Sequence, residues 1–425
     1  MKVSKLALGL ALAAGFGMAA PSIAKDKKES AEAAKFTPEL SKGFRNAVQP
    51  FQKALSAKDY ATAQSLLPAV QAAATTPDEK FYVGQFKIAL GQGLKDQALL
   101  QAGVLESLNS GSAGVEPDRG KFSWYAGQFA FQAKDYPAAI QYLTAAKTAG
   151  YHPQDANGQP DSNFEIMLAE SYFQTKQIPQ GMAVLDQAIK EETAAGRKVP
   201  QSWYGRAASI AYQSKNMAEA AKWTRAQVAA YPTAENWRSA LVIFGDSNHF
   251  DDQTQLDLLR LKRFAGALAG ERDYYEYAVL ADKIGLPGEA KAVVDEGKAK
   301  GAFDASSKAI NEIGAAAGAK VAADKASLAA SEKSAASAAN GKAALGTADA
   351  YFGYGDYAKA AQLYKLALQK GGVDAATVNM RLGEALAKAG QTAEAKQAFA
   401  QVTGPRAELA QFWTLWVDQN ARAAG

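Results

Sequence analysis

The sequence predicts an all-α chain, a solenoid of antiparallel helix pairs finished by a C-terminal capping helix. Three observations predict it. Small residues recur twelve positions apart along most of the chain, and a turn of the Asp or Gly kind lies inside several of these steps. The chain is also rich in alanine, whose side chain loses no rotamer entropy in a helix.

The recurrence is clearest in Gly127–Ala139, Ala348–Ala360 and Gly383–Ala395. The same step joins Ala169 to Gly181, Ala208 to Ala220 and Ala278 to Ala290; Phe51–Ala63 and Phe86–Ala98 keep it with a large first residue. Two helices approach at the short end of the 8–10 Å range only where one offers Gly or Ala, so a small residue in the first helix is expected to face the second across a turn. The turns are Lys134-Asp135-Tyr136, Gly355-Asp356-Tyr357 and Ala389-Gly390-Gln391, where Asp or Gly ends one helix and caps the next.

Leu382-Gly383, Tyr351, Ala360, Tyr364, Ala367 and the unit-ending Tyr231-Pro232 fall where the 34-residue tetratricopeptide repeat carries Leu-Gly, Tyr, Ala, Tyr, Ala and Pro. On these residues the chain resembles that family. The resemblance implies a right-handed superhelix whose first helices line a concave groove, and a function of holding another macromolecule.

The steps between units run from 51 to 86, 127, 169 and 208, then to 278, 348 and 383. Two of them are 70 residues, twice 35, so each hides a degenerate unit. One falls at about 235–270, with Trp237, Leu241 and Phe244 on its first helix and Leu256, Leu259 and Phe264 on its second. The other, about 305–340, is mostly Ala, Ser, Lys and Asp, anchored by Ile310, Ile313, Val321 and Leu328. It reads as a broken pair, because Gly314 and Gly318 interrupt it, or as one long helix. Ten units follow, then a helix from Pro405 to about Ala421 whose Phe412, Trp413, Leu415 and Trp416 suit a cap over the open end. The expected organisation is a signal peptide at 1–24, repeats at 25–234, degenerate repeats with an alanine-rich helical segment at 235–340, and repeats with the capping helix at 341–425.

Lys2 and Lys5 precede an apolar run from Leu6 to Ala20; Pro21 and Ser22-Ile23-Ala24 then suit cleavage before Lys25. That pattern predicts export to the periplasm with no transmembrane segment in the mature chain. Of 425 residues none is cysteine, which excludes disulfides, thiolate metal sites, a thiol nucleophile and a lipidated cleavage site. Loss of Lys2 and Lys5 leaves 45 basic against 43 acidic residues, a balance unlike that of a nucleic-acid-binding chain.

Signatures of catalysis are missing from the sequence. The two histidines, His152 and His249, lie in loops, and Asp251-Asp252 after the second is placed to cap a helix. There is no His-Glu-x-x-His pair, phosphate loop or Gly-x-Ser-x-Gly elbow. No cofactor or metal is expected, and a non-enzymatic scaffold is.

The informative pattern is an aromatic followed by Gln at one phase of three consecutive first helices: Phe131-Gln132, Phe173-Gln174 and Tyr212-Gln213. Side chains one or two turns earlier, Trp124 and Gln128 in one unit and Ile166 and Glu170 in the next, share the face that the resemblance assigns to the groove. Successive helical residues point about 100° apart, so the glutamines are expected in the groove and the aromatics, partly exposed, in its floor and sides. The other reading makes the aromatics packing between units. An aromatic-and-amide ladder suits an extended polypeptide, or a glycan stacked on the rings.

Overall fold

The computed structural model describes residues 36–154 and 163–424, so the signal segment at 1–24 lies outside the described residues. The described residues form twenty α-helices and two short 3-10 turns, with no extended sheet. Their contacts divide the chain into two compact units, one ending at Lys198 and one beginning at Val199.

In the first unit four antiparallel pairs follow one another. They are α1 (Lys42–Ser56) with α2 (Tyr60–Ala73), α3 (Pro77–Leu94) with α4 (Gln97–Leu108), α5 (Arg119–Gln132) with α6 (Tyr136–Thr148), and α7 (Asn163–Gln174) with α8 (Ile178–Ala194). The turn between partners repeats one device. Lys58, Lys95, Lys134 and Lys176 each adopt a left-handed conformation with φ near +60°, and the next residue is the N-cap of the following helix. Asp59, Asp96 and Asp135 cap those helices by accepting from the backbone N–H of Thr62, Leu99 and Ala138. The small phase position Gly127 does what the geometry requires: it faces Leu143, whose Cδ2 would lie 2.6 Å from an added Cβ. In the α3–α4 pair the close approach falls instead at Gly84, two residues before the phase position Phe86, where a Cβ would sit 2.6 Å from the backbone nitrogen of Ser107.

A buried carboxylate ties the start of this unit together. Glu79, at the third position of α3, accepts from the backbone N–H groups of Ser41, Thr75 and Thr76 at 2.6, 2.6 and 3.0 Å. Burial pushes its pKa up, but these donors outweigh burial and hold it at about 2.

The second unit has the same opening pattern: α9 (Gln201–Gln213) with α10 (Met217–Ala230), α11 (Ala234–Asp246) with α12 (Asp252–Phe264), and α13 (Gly270–Ile284) with α14 (Pro287–Ala299). The hidden unit at 235–270 is thus a true pair, with Trp237, Leu241, Phe244, Leu256 and Leu259 all buried. The segment 305–340 is not a broken pair. It is one helix, α15 (Lys308–Ser337), because Gly314 and Gly318 open room for α14 and do not end the helix: an added Cβ would meet Val294 at 2.8 Å and the stem of Lys291 at 3.2 Å. Then come α16 (Lys342–Gly353) with α17 (Tyr357–Lys370), α18 (Ala375–Lys388) with α19 (Thr392–Ala400), a 3-10 turn at Gly404–Arg406, and α20 (Ala407–Ala424). Lys215 keeps the lysine device in the α9–α10 turn, and Gly285, Gly355 and Gly390 hold the equivalent left-handed positions before α14, α17 and α19.

The capping helix does more than cover an end. Phe412 of α20 packs on Trp237 and Phe244 of α11, with ring centroids 6.3 and 5.2 Å apart. Gln419 bridges back to the Val228 carbonyl and the Trp237 indole N–H, and the Trp416 indole N–H donates to the Phe264 carbonyl. The second unit therefore closes on itself: the face that an open stack would leave free between α11 and α12 is occupied by the chain's own last helices.

Candidate binding groove

Two first helices leave a groove of about 450 Å³ in the second unit. One wall is the stripe Gly205, Ala208, Ser209 and Tyr212 of α9; the other is Ser239, Val242, Ile243 and Asp246 of α11. Each residue of the second stripe comes 34 positions after its counterpart in the first, so the groove is built by one set of phase positions in consecutive repeats. Both stripes have the i, i+3, i+4, i+7 spacing that keeps side chains on one helix face. Thr224 and Gln227 of α10 line the base, where the Gln227 amide donates to Asn236 at 3.0 Å.

Small residues keep this groove open. An added Cβ on Gly205 would have nothing closer than the Gln227 side chain at 3.8 Å. Tyr212 is 50% exposed, more than any other large hydrophobic side chain among the described residues. In α11 the phase position of Tyr212 holds Asp246, also exposed, which makes no salt bridge among the described residues. Lys262 and Arg272 feel its field without pairing with it.

The residues expected to bind fall into three environments. Gln132, Gln174 and Gln213 are all exposed, as the helical geometry requires. Gln174 donates back to Glu170 at 2.6 Å, and Gln213 to Ser209 at 3.0 Å, which sets Gln213 on the rim of the groove. Gln128, Phe131, Ile166 and Glu170 are half-buried. Trp124 and Phe173 correct the expectation of partly exposed aromatics. Trp124 is 3% exposed and packs edge-on against Phe164, while Phe173 is 6% exposed with its ring over Gly181. Both are core residues. The recurring aromatic is thus graded: buried at Phe173, half-buried at Phe131, exposed only at Tyr212. Phe131 and Phe173 belong to the first unit and Tyr212 to the second.

Sequence reasoning missed Gly205, Ser209, Val242, Ile243 and Asp246. The 34-residue step from α9 would have found the α11 stripe, but Asp246 carries no aromatic and so broke the visible pattern.

The densest cluster of charge lies elsewhere in the second unit and is sealed. Arg260 donates to Glu289 through Nε and Nη2 at 2.9 and 2.7 Å and lies 3.3 Å from Glu384. Arg381 reaches Asp349 at 2.6 Å and Asp257 at 3.2 Å, and Arg406 lies 3.3 Å from Asp257. The Tyr277 and Tyr364 hydroxyls donate to Glu289 and Asp349, both at 2.6 Å. Arg260, Asp257 and Glu384 are 0% exposed, so no substrate in solution reaches them. Burial first, then the charge of Asp257, pushes the Glu384 carboxyl well above its ordinary range, and its Oε1 has no hydrogen-bond partner. Asp257 is also raised by burial, yet three guanidinium groups lie within 3.8 Å of it, so the proton belongs on Glu384. The cluster is structural: it joins α12 to α14, α16, α18 and the 3-10 turn.

Among the described residues no group of three or more His, Asp or Glu side chains is arranged to hold a metal ion, and no helix is long and apolar enough to cross a membrane. His152 and His249 are exposed, and Asp251 caps α12 by accepting from the Thr254 N–H at 2.7 Å.

No family model matches the chain, and no curated protein does. Among solved structures it is similar to the TPR domain of P58(IPK), with 11% identity over 90% of this chain and 99% of that one at a TM-score of 0.24. It is also similar to a chain of the APC/C hetero-tetramer Cut9-Hcn1 (10% identity, 90% and 85% covered, TM-score 0.20) and to one of Naa15/Naa10 bound to HypK-THB (14%, 85% and 68%, 0.21). At these scores the whole chain does not superpose on them, and the helix-pair architecture rests on the packing described above.

Proposed function

We propose that this chain is a non-enzymatic scaffold of the periplasm that holds a segment of a partner protein against the first-helix face of its repeats. The observation that carries this reading is the open groove between α9 and α11, with its half-exposed tyrosine, in a unit whose neighbouring α11–α12 face is covered by α20. Binding sites are concave clefts lined by apolar side chains with a few convergent polar groups, and the Ala208, Tyr212, Val242 and Ile243 walls with Ser209, Ser239 and Asp246 have that make-up. Export rests on the basic and apolar segment before Lys25. A glycan partner is the second reading, favoured by the Tyr212 ring standing beside the polar side chains of Ser209 and Gln213.

A photo-crosslinking residue at position 212, followed by capture from an envelope extract and mass spectrometry, tests both readings. One protein crosslinked at a defined segment supports the first. Crosslinks only to saccharide support the second, and no adduct at 212 while the rest of the chain is bound moves the site elsewhere. N-terminal sequencing of the exported chain should begin at Lys25; a chain starting at Met1 in that fraction would refute cleavage.

A further inference from the structure

We propose that the α9/α11 groove is a receptor for one lysine or arginine side chain presented by a partner peptide; this deepens the scaffold reading and rests on it. The two walls place different chemistry at equivalent positions. In α9 the rim carries the Tyr212 ring, and 34 residues later the rim of α11 carries the Asp246 carboxylate. Behind them the walls are small or aliphatic: Gly205 and Ala208 on one side, Val242 and Ile243 on the other.

A long basic side chain matches that order. Its methylene stem can lie along Val242 and Ile243 while its cationic head stays at the wet rim, the division of labour that such side chains favour. At the rim the head meets two attractive groups, a carboxylate without a salt bridge among the described residues and the face of an exposed tyrosine. An acidic side chain would instead bring two carboxylates together. A purely aliphatic one would fill the walls and leave Asp246 unused. The volume of about 450 Å³ falls in the range of sites that enclose a ligand group, and the open space over Gly205 gives the stem its entrance.

The test uses the full chain after signal removal and a display library of random ten-residue peptides as the probe. Enriched peptides should share a Lys or Arg, and their affinity should fall at least tenfold with Asp246→Asn and with Gly205→Leu, while the melting temperature of each variant stays within a degree or two. Tyr212→Leu should cost a smaller factor by removing the ring face alone. Enrichment of peptides without a basic residue, or affinity unchanged in both Asp246→Asn and Gly205→Leu, overturns the assignment while the scaffold reading stands. A library that yields no binder at all overturns both. Binding of a peptidoglycan fragment lost with Tyr212→Leu but kept with Asp246→Asn would replace the cation by a sugar ring. If Gly205→Leu fails to fold, Asp246→Asn alone decides, since it alters an exposed side chain.

Discussion

The two units are made of the same helix pairs but are held together differently. In the first, each pair touches the next, and its most consequential polar group, Glu79, reaches only from α3 to the residues just before it and to the entrance of α1. In the second, α12 meets α18 across 124 residues of sequence through Arg260–Glu384 and Arg381–Asp257. Nearest-neighbour stacking makes stability close to a sum over repeats. Closure makes the second unit depend on contacts that form only when its last helices return to its early ones. The lesson is that one repeat geometry supports either an additive array or a closed cooperative body, depending on whether a late element finds an early one.

The largest effect should come from breaking the closure. Arg260→Met leaves the buried Glu289 carboxylate without its cation and should cost about 3–5 kcal/mol. Hydrogen exchange should rise together in α12, α14, α16 and α18 and stay unchanged in α1–α6. A loss confined to α12 would mean that the unit behaves additively after all.

Glu79→Gln is the matching change in the first unit and should cost about 2–3 kcal/mol, since three backbone donors lose their anion. The folded pKa of about 2 lies below the ordinary 4.5, so this stability is present above pH 4.5 and is lost as the pH falls towards 2. The wild-type first unit should therefore weaken over that window and the variant should not, read by exchange in α1 and α3. An acid dependence that survives in Glu79→Gln would assign it to another group.

Glu384 gives the opposite sign. Its folded pKa is raised, so its contribution is complete below pH 4.5 and declines as the pH rises towards the folded value. The slope is about 1.4 kcal/mol per pH unit for one proton. Glu384→Gln, a neutral isostere, should remove that decline and leave the second unit more stable than wild type at pH 8. A variant less stable than wild type at that pH would show that the carboxylate, not the acid, is what Arg260 needs.

The smallest effect separates the turns. Lys134→Gly relieves a left-handed residue at φ +61° and should stabilise the first unit by no more than about 1 kcal/mol, because glycine's greater freedom when unfolded offsets part of the relief. Gly355→Lys in the second unit, at φ +82°, should destabilise by a similar amount, both read from denaturant midpoints.

By itself the sequence determined the helix pairs, their turns and much of the core. The twelve-residue step names residues that are buried in nearly every pair, Ala139, Ala208, Ala220, Ala278, Ala290, Ala348, Ala360 and Ala395 among them. These are contacts between neighbours in the chain, so the pattern that makes them is written locally. Tertiary structure alone decided that α15 is one helix, that α20 returns to α11, and that Trp124 and Phe173 are core while Tyr212 is not. A glycine in a helix reads as a break until a neighbour such as Val294 is seen to need the room. Charged side chains such as Arg260 and Glu384 read as a solvated face until partners 124 residues apart meet and exclude water. Where a side chain's fate depends on an element far along the chain, no local pattern records it, and only the packed fold supplies the answer.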